Sequence, residues 1–463
     1  MTSIEPKSID ELKSRLRGPL FLSGNAEYEA SRTVWNAMID RRPALVARCL
    51  GVADVATCVK FAVQRGLALS IKGGGHNVAG LATCDDGLML DMSLMRGVWV
   101  DPRTRIARAQ AGCLLGDVDR ETQVHGLAAP LGFVSATGIA GLTLGGGFGY
   151  LTRRSGWTSD KLLSVDVITA EGRAVHASEG ENADLFWGLR GGGGNFGVAT
   201  SFEYRLEAVG PEIMAGAIAW HASETSRVLE LWRRVVSEAP AELCAPAVLR
   251  LAPPAPWIAK EAHGKPIIVI VFCHSGRIED GERLAAPFKA LGGAVGDVLQ
   301  RRTYVSQQSL LDATQPKGRR YYWKSEFLPG WDPELLNIAA KHAERIRSPH
   351  SGIILFPIDG ALSHLAEGHS AVGNRDAGAV INITGAWEKA QDDAPNIEWA
   401  RAAWRDARRF STGGTYINFL TEEEGEERTH AAYRDNYRRL IEIKTHWDPR
   451  NAFRINKNIR PQG

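Results

Sequence analysis

The chain has 463 residues, 44% of them hydrophobic and 23% charged, which is ordinary for a globular protein and long enough for two domains. Its 55 Lys and Arg nearly balance 53 Asp and Glu, which removes the electrostatic case for a nucleic-acid or anionic-membrane partner. The six cysteines form no CxxC and no zinc spacing, so free buried thiols and no metal are expected. MTSIEPKSIDELKSRLRG carries no hydrophobic leader and no apolar run approaches the roughly 20 residues of a membrane span, so a cytoplasmic protein is expected.

In chain order, Asp54 is placed to cap a helix whose apolar stripe is Val55, Cys58, Val59, Ala62 and Val63, ending at Gly66. Strands are predicted over 67–71, 88–92 and 106–110. A hairpin is predicted from 164–169 and 173–177 across Glu171-Gly172, and an edge or half-buried strand over 201–206. Glycine thins out past about residue 206, where a domain boundary is expected. Beyond it come helices near 224–238, 279–291, 333–347 and 396–409. Strands alternate with them at 267–273, 321–327, 352–358 and 379–387, a mix that suits an α+β domain with an antiparallel sheet. One long amphipathic helix is predicted over 426–444, stopped by Asp448-Pro449.

Three glycine-rich segments carry the chemistry. Lys72-Gly73-Gly74-Gly75-His76-Asn77 follows a strand. Backbone N–H groups freed of Cβ atoms can turn there toward a pyrophosphate, with His76 beside it; a tight turn with an incidental histidine is the other reading. Gly132 to Gly149, GFVSATGIAGLTLGGGFG, is too apolar for a surface loop and reads as backbone against a flat apolar ligand, or as a packed turn region. Gly191 to Gly197 formally contains GxGxxG, but a helical 182–189 precedes it and a strand follows, the reverse of the Rossmann order. No P-loop and no GxSxG elbow occurs. Asp359, His364 and Asp376 form an acid/base set only on paper and read as ordinary surface or core residues.

Taken together, these blocks resemble the vanillyl-alcohol oxidase / p-cresol methylhydroxylase superfamily. The closer resemblance is to its berberine bridge enzyme-like branch, in the bacterial form that also includes 6-hydroxy-D-nicotine oxidase. It rests on Arg42-Pro43, the 67–80 stretch, GLAAPLGFVSATGIAGLTLGGGFGYLTRRSGWTSDKL from 126 and NADLFWGLRGGGGNFGVATSFEYRL from 182. Tyr416-Ile417-Asn418-Phe419 and AAYRDNYRRLIEIKTHWDPRNAFRINKNIRP complete it. The resemblance implies an α+β fold: an FAD-binding domain of two small subdomains (1–206), a substrate domain with an antiparallel sheet and helices (207–411), and a segment (412–463) returning to the FAD domain.

It further implies FAD held by Lys72, Gly73, Gly74, Gly75, His76, Asn77, Gly80, Gly132, Thr137, Gly138, Gly141, Leu142, Gly145, Gly146, Gly147, Tyr150, Gly197, Val198, Asn418 and Asn456. His76 matches the histidine that bonds the flavin 8α-methyl. Val134 stands where many members carry a second, cysteinyl link, so a single link is expected; Lys161 replaces a family Asn. The implied reaction removes a hydride from a C–H beside an O–H or N–H of a small organic substrate and passes the electrons to oxygen, giving hydrogen peroxide. Tyr416 is the expected proton acceptor, with Tyr322 next in line, Asn418 beside it, and Lys324 or Arg375 to stabilise a phenolate. Ile139, bulkier than the valine common at the implied oxygen-gating position, keeps open a dehydrogenase with another electron acceptor. A flavin-holding module without turnover is disfavoured by Tyr322-Trp323-Lys324, Asn382 and Tyr416-x-Asn418. The expected partners are a small-molecule substrate and oxygen; the oligomeric state is open.

Overall fold

The computed structural model describes residues 4–462, so residues 1–3 and 463, at the margins of two expected segments, lie outside the described residues. The helix Val52–Gln64 forms on its predicted stripe, with Val55, Cys58, Val59 and Ala62 buried, and Gly66 ends it at φ +64°. Asp54 does not cap it. Gly51 holds the N-cap position, and the Asp54 carboxylate instead accepts backbone N–H bonds from Arg17, Gly18 and Leu50, tying the preceding chain to the helix. Beneath this helix, strands Leu45–Arg48, Leu88–Asp91 and Leu69–Lys72 lie parallel, with Leu20–Phe21 antiparallel on the edge.

A second, antiparallel sheet runs in the order Val98–Asp101, Ile106–Gln110, Val198–Arg205, Leu162–Ile168, Ala174–Ser178. Val198–Arg205 therefore occupies the centre of the sheet, not the expected edge. Its polar Ser201 misleads because the hydroxyl donates to Asp166 of one neighbouring strand, a carboxylate that also accepts from Arg108 of the other.

The largest sheet orders its strands Ala294–Asp297, Glu212–His221, Pro266–His274, Ala247–Leu251, Gly352–Pro357, Ala379–Trp387, Arg320–Leu328. Glu212–His221 escaped the sequence patterning. It is Ala- and Gly-rich and buried almost throughout, so it shows neither alternation nor β-branched enrichment. One face of this sheet packs Leu249, Ile353, Ile381 and Tyr322 against helices Thr225–Glu238, Pro333–Ala343 and Asp393–Ala407. The other face turns toward the glycine-rich segments.

The expected single helix over 426–444 is two, Glu426–Tyr433 and Asn436–Trp447, broken at Arg434 with φ +49°. The break lets Tyr433, Leu440 and Ile443 enter the core that residues 12–206 build, where Phe453 and Ile459 join them. All six cysteines are buried and free. Among the described residues no helix is long and apolar enough to cross a membrane, and no His/Cys/Asp/Glu group is arranged to hold a metal.

Candidate active site

A cavity of about 340 Å³ lies between the glycine-rich segments and the open face of the large sheet. The Gly73–Asn77 loop reaches it because it leaves the C-terminal end of the parallel strand Leu69–Lys72. Gly74 packs directly on Gly138, and a Cβ on either would collide with the other's backbone, so these two loops approach as closely as they do only as glycine. Gly75, Gly132, Thr137, Gly141, Leu142, Gly145, Gly197 and Val198 continue this wall, and Asn456 closes its far end.

His76 lines the cavity and stacks on Trp35, ring centroids 4.2 Å apart. Its Nε2 is buried without a hydrogen-bond partner, and burial pulls its pKa down to about 4, so the imidazole is neutral near pH 7.

The opposite wall is the sheet. Strand pairing aligns Arg250, Gly352, Thr384 and Trp323 in one row, and Val248, Ile354, Asn382 and Ser325 in the row two residues along. With side chains alternating at period 2, Arg250, Val248, Ile354, Asn382, Thr384 and Trp323 all face the cavity. The Asn382 Oδ1 and Trp323 Nε1 atoms are buried there without partners.

Tyr416 enters from the tail, anchored by the Thr415 hydroxyl 3.1 Å from that of Ser325. Its ring stacks on Trp157 and its hydroxyl oxygen accepts from the Gly147 N–H and from Asn418 Nδ2, both at 3.0 Å. Burial pushes its pKa above the ordinary tyrosine value although both hydrogen bonds oppose this. Asn418 also donates to the carbonyls of Gly141 and Leu142, at 3.2 and 3.3 Å, fastening the tail to the glycine wall.

Several residues expected at the site lie off the cavity. Tyr322 is one position from Trp323 and so points to the opposite sheet face, where its hydroxyl donates to Glu423 and accepts from Arg401. Lys324 shares that face and pairs with Glu423 at 2.8 Å, while Arg375 pairs with Asp160 at 2.7 Å; both cations are engaged away from Tyr416. Lys72 points behind its loop to Asp91, 3.1 Å away. Gly80 turns against Ile39, and Gly146 and Gly147 pack on Trp157 and Thr158 one layer out, although the Gly147 N–H still holds Tyr416. Tyr150 sits behind Phe133, edge-on at 4.7 Å. Ile139 is fully buried in the first core, whereas Thr137 of the same stretch is on the cavity wall. Lys161 pairs with Glu207, Asp359 with Arg153 and Asp376 with Arg434.

Two family models match this architecture: "FAD binding domain" over residues 43–178 and "Berberine and berberine like" over 415–460. The (R)-6-hydroxynicotine oxidase of Paenarthrobacter nicotinovorans is 31% identical over 475 residues, covering 98% of this chain and 100% of its own. The chain belongs to the berberine bridge enzyme-like FAD-linked oxidases of the p-cresol methylhydroxylase superfamily. The structure of 6-hydroxy-D-nicotine oxidase from Arthrobacter nicotinovorans superposes with a TM-score of 0.86 at 27% identity, over 96% of this chain and 98% of that one. Glucooligosaccharide oxidase from Acremonium strictum, whose FAD is described as 6-S-cysteinyl, 8α-N1-histidyl, shares the fold at a TM-score of 0.85 and 22% identity, over 98% of this chain and 100% of that one. As a member of this family the chain is an FAD-linked oxidoreductase.

The residues present fit FAD. The cavity offers a glycine-backbone wall that a Cβ would obstruct and an imidazole with an unpartnered nitrogen. No cysteine lines it; valine stands at 134.

Proposed function

We propose that this protein is an oxidase carrying FAD on His76 alone, which removes a hydride from a C–H beside an O–H or N–H of a small organic substrate, with oxygen reduced to hydrogen peroxide. Bound FAD supplies the two-electron acceptor. The observation that carries this reading is the shared cavity, which His76, the glycine wall and Tyr416 all line. Gly73, Gly74, Gly75, Asn77, Thr137 and Gly138 hold the cofactor through backbone, and Asn418 and Asn456 close over it. The absence of a lining thiol supports a single covalent link.

Tyr416 takes the substrate proton as the hydride leaves. Two donors on its oxygen stabilise the phenolate that this needs. A second reading has one observation in its favour: burial raises the Tyr416 pKa, so the hydroxyl at neutral pH keeps a proton that it can donate to orient the substrate.

Ile139 is buried in the core and is not among the residues that line the cavity, which removes one ground for preferring a dehydrogenase. The test is direct: acid-precipitated protein stays yellow, and substrate-reduced protein recovers its colour within seconds in aerated buffer with peroxide formed in proportion. A colourless pellet sinks the covalent link. Recovery over many minutes beside fast turnover of an artificial dye sinks the oxidase reading.

A further inference from the structure

The sheet wall of the cavity holds a cation that no carboxylate among the described residues pairs with. Arg250 lies on the strand Ala247–Leu251 and lines the cavity beside His350 and Ser351. Its Nε donates to the Leu251 carbonyl and its Nη2 to the Pro349 carbonyl, each at 3.2 Å, which leaves the rest of a five-donor fork free. Among the described residues no carboxylate pairs with it or with Arg319, whose Nη1 donates to the Thr314 carbonyl and whose charge acts on Arg250. His350 gives no anion, and its own Nε2 is taken by Glu388 at 3.2 Å, an outward-facing carboxylate. Enclosure by protein, then repulsion from Arg319, draws the Arg250 pKa down to about 10, which still leaves it charged at neutral pH.

Arg250 is half-buried and carries no counter-charge, and in a ligand cavity the missing partner is one the ligand can bring. His350, Ser351 and Thr384 line the cavity beside Arg250; Val248 and Ile354 follow one row along, and Phe356 lies further on, stacked on Phe133 and edge-on to Phe148 toward Tyr416. Asn382 Oδ1, Trp323 Nε1 and Gln315 Oε1 add unpartnered polar atoms to the lining. The apolar run from Val248 and Ile354 to Phe356 suits an aromatic or alkyl body.

We propose that Arg250, reinforced by Arg319, is an anion seat that binds the carboxylate of the substrate, whose apolar body lies along the sheet toward Tyr416. The class is a small aromatic or aryl-aliphatic acid that also bears the oxidisable C–H. Three strand spacings, roughly 14 Å at the backbone, separate the strand of Arg250 from that of Trp323. The extended arginine side chain and a ring-sized body together fill that span. This inference rests on the reading of the cavity as the oxidation site.

The experiment titrates the purified holoenzyme with benzoate, 3-phenylpropionate and indole-3-acetate, each against its neutral amide, and reads the flavin difference spectrum. At least one acid should bind tenfold or more tighter than its amide, as a charge-assisted bidentate contact requires. Arg250→Gln should erase that preference, Arg250→Lys should restore part of it, and Arg319→Gln should lower it by a smaller factor. Amides that bind as well as their acids across the panel overturn the seat, and this comparison needs no variant to fold. An Arg250→Gln protein that keeps the preference overturns it as well. A protein that holds no flavin overturns the oxidase reading and this one together; a yellow protein without acid preference overturns only the seat.

Discussion

Tyr416→Phe separates chemistry from scaffold because the structure assigns the hydroxyl two bonds of different consequence. Asn418 Nδ2 keeps the carbonyls of Gly141 and Leu142 when the hydroxyl is gone, whereas the Gly147 N–H has no other acceptor among the described residues. Leaving that buried donor unpaired costs about 1–3 kcal/mol of stability. On the kinetic side, loss of a general base lowers the rate about 10²–10⁴-fold. Burial holds the Tyr416 pKa above its ordinary value, so the phenolate fraction, and with it the rate of substrate-driven flavin reduction, should rise about tenfold per pH unit from pH 7 to 9.5. Anaerobic stopped-flow reduction at saturating substrate measures both quantities, and urea denaturation measures the stability. A loss under tenfold, or a wild-type rate flat across that pH range, refutes the base and leaves the hydroxyl as a donor that orients the substrate. A variant with normal stability refutes the assigned bond to Gly147.

His76→Ala should still bind FAD through the glycine backbone but release it on acid precipitation, seen as colour moving to the supernatant. Asp119 is buried with only Gln308 Nε2 as side-chain donor, and burial raises its pKa to about 7 from an unfolded value near 4. Its ionisation therefore opposes folding, by up to about 4 kcal/mol above pH 7 and not at all below pH 4; Asp119→Asn should gain stability over wild type at pH 8 and little at pH 4, by urea denaturation. Ile139→Val should cost about 0.5–1.5 kcal/mol as a core truncation and leave the rate of reoxidation by oxygen unchanged, read by mixing reduced enzyme with aerated buffer.

The glycine walls were legible in the sequence because no other composition lets two backbones meet as Gly74 and Gly138 do. His76 was legible by its position at the end of such a loop, and the long second-half helices by their stripes. Facing was harder. Tyr322, Trp323 and Lys324 read as one set, but a strand sends neighbours to opposite sides, and whether Tyr322 or Trp323 meets the cavity depends on which face the helices cover. Whether Tyr150 and Ile139 reach the cavity was illegible for a related reason: within a dense apolar segment, the first layer and the one behind it have the same composition. Arg250 carried no signal at all. One arginine resembles another in a chain with 55 Lys and Arg, and what distinguishes this one is a missing partner, which only the fold reveals.

Residues 433–459 complete the core that residues 12–206 begin, and Tyr416, Asn418 and Asn456 complete the wall that Gly73 to His76 begin. On a ribosome these pieces emerge far apart in time. The first half leaves the tunnel with one flank of its core uncovered and must wait, while the whole large sheet is made, for the segment that seals it. A single protease cut between 412 and 415 would sever the proposed proton acceptor and part of the hydrophobic interior from the rest in one stroke.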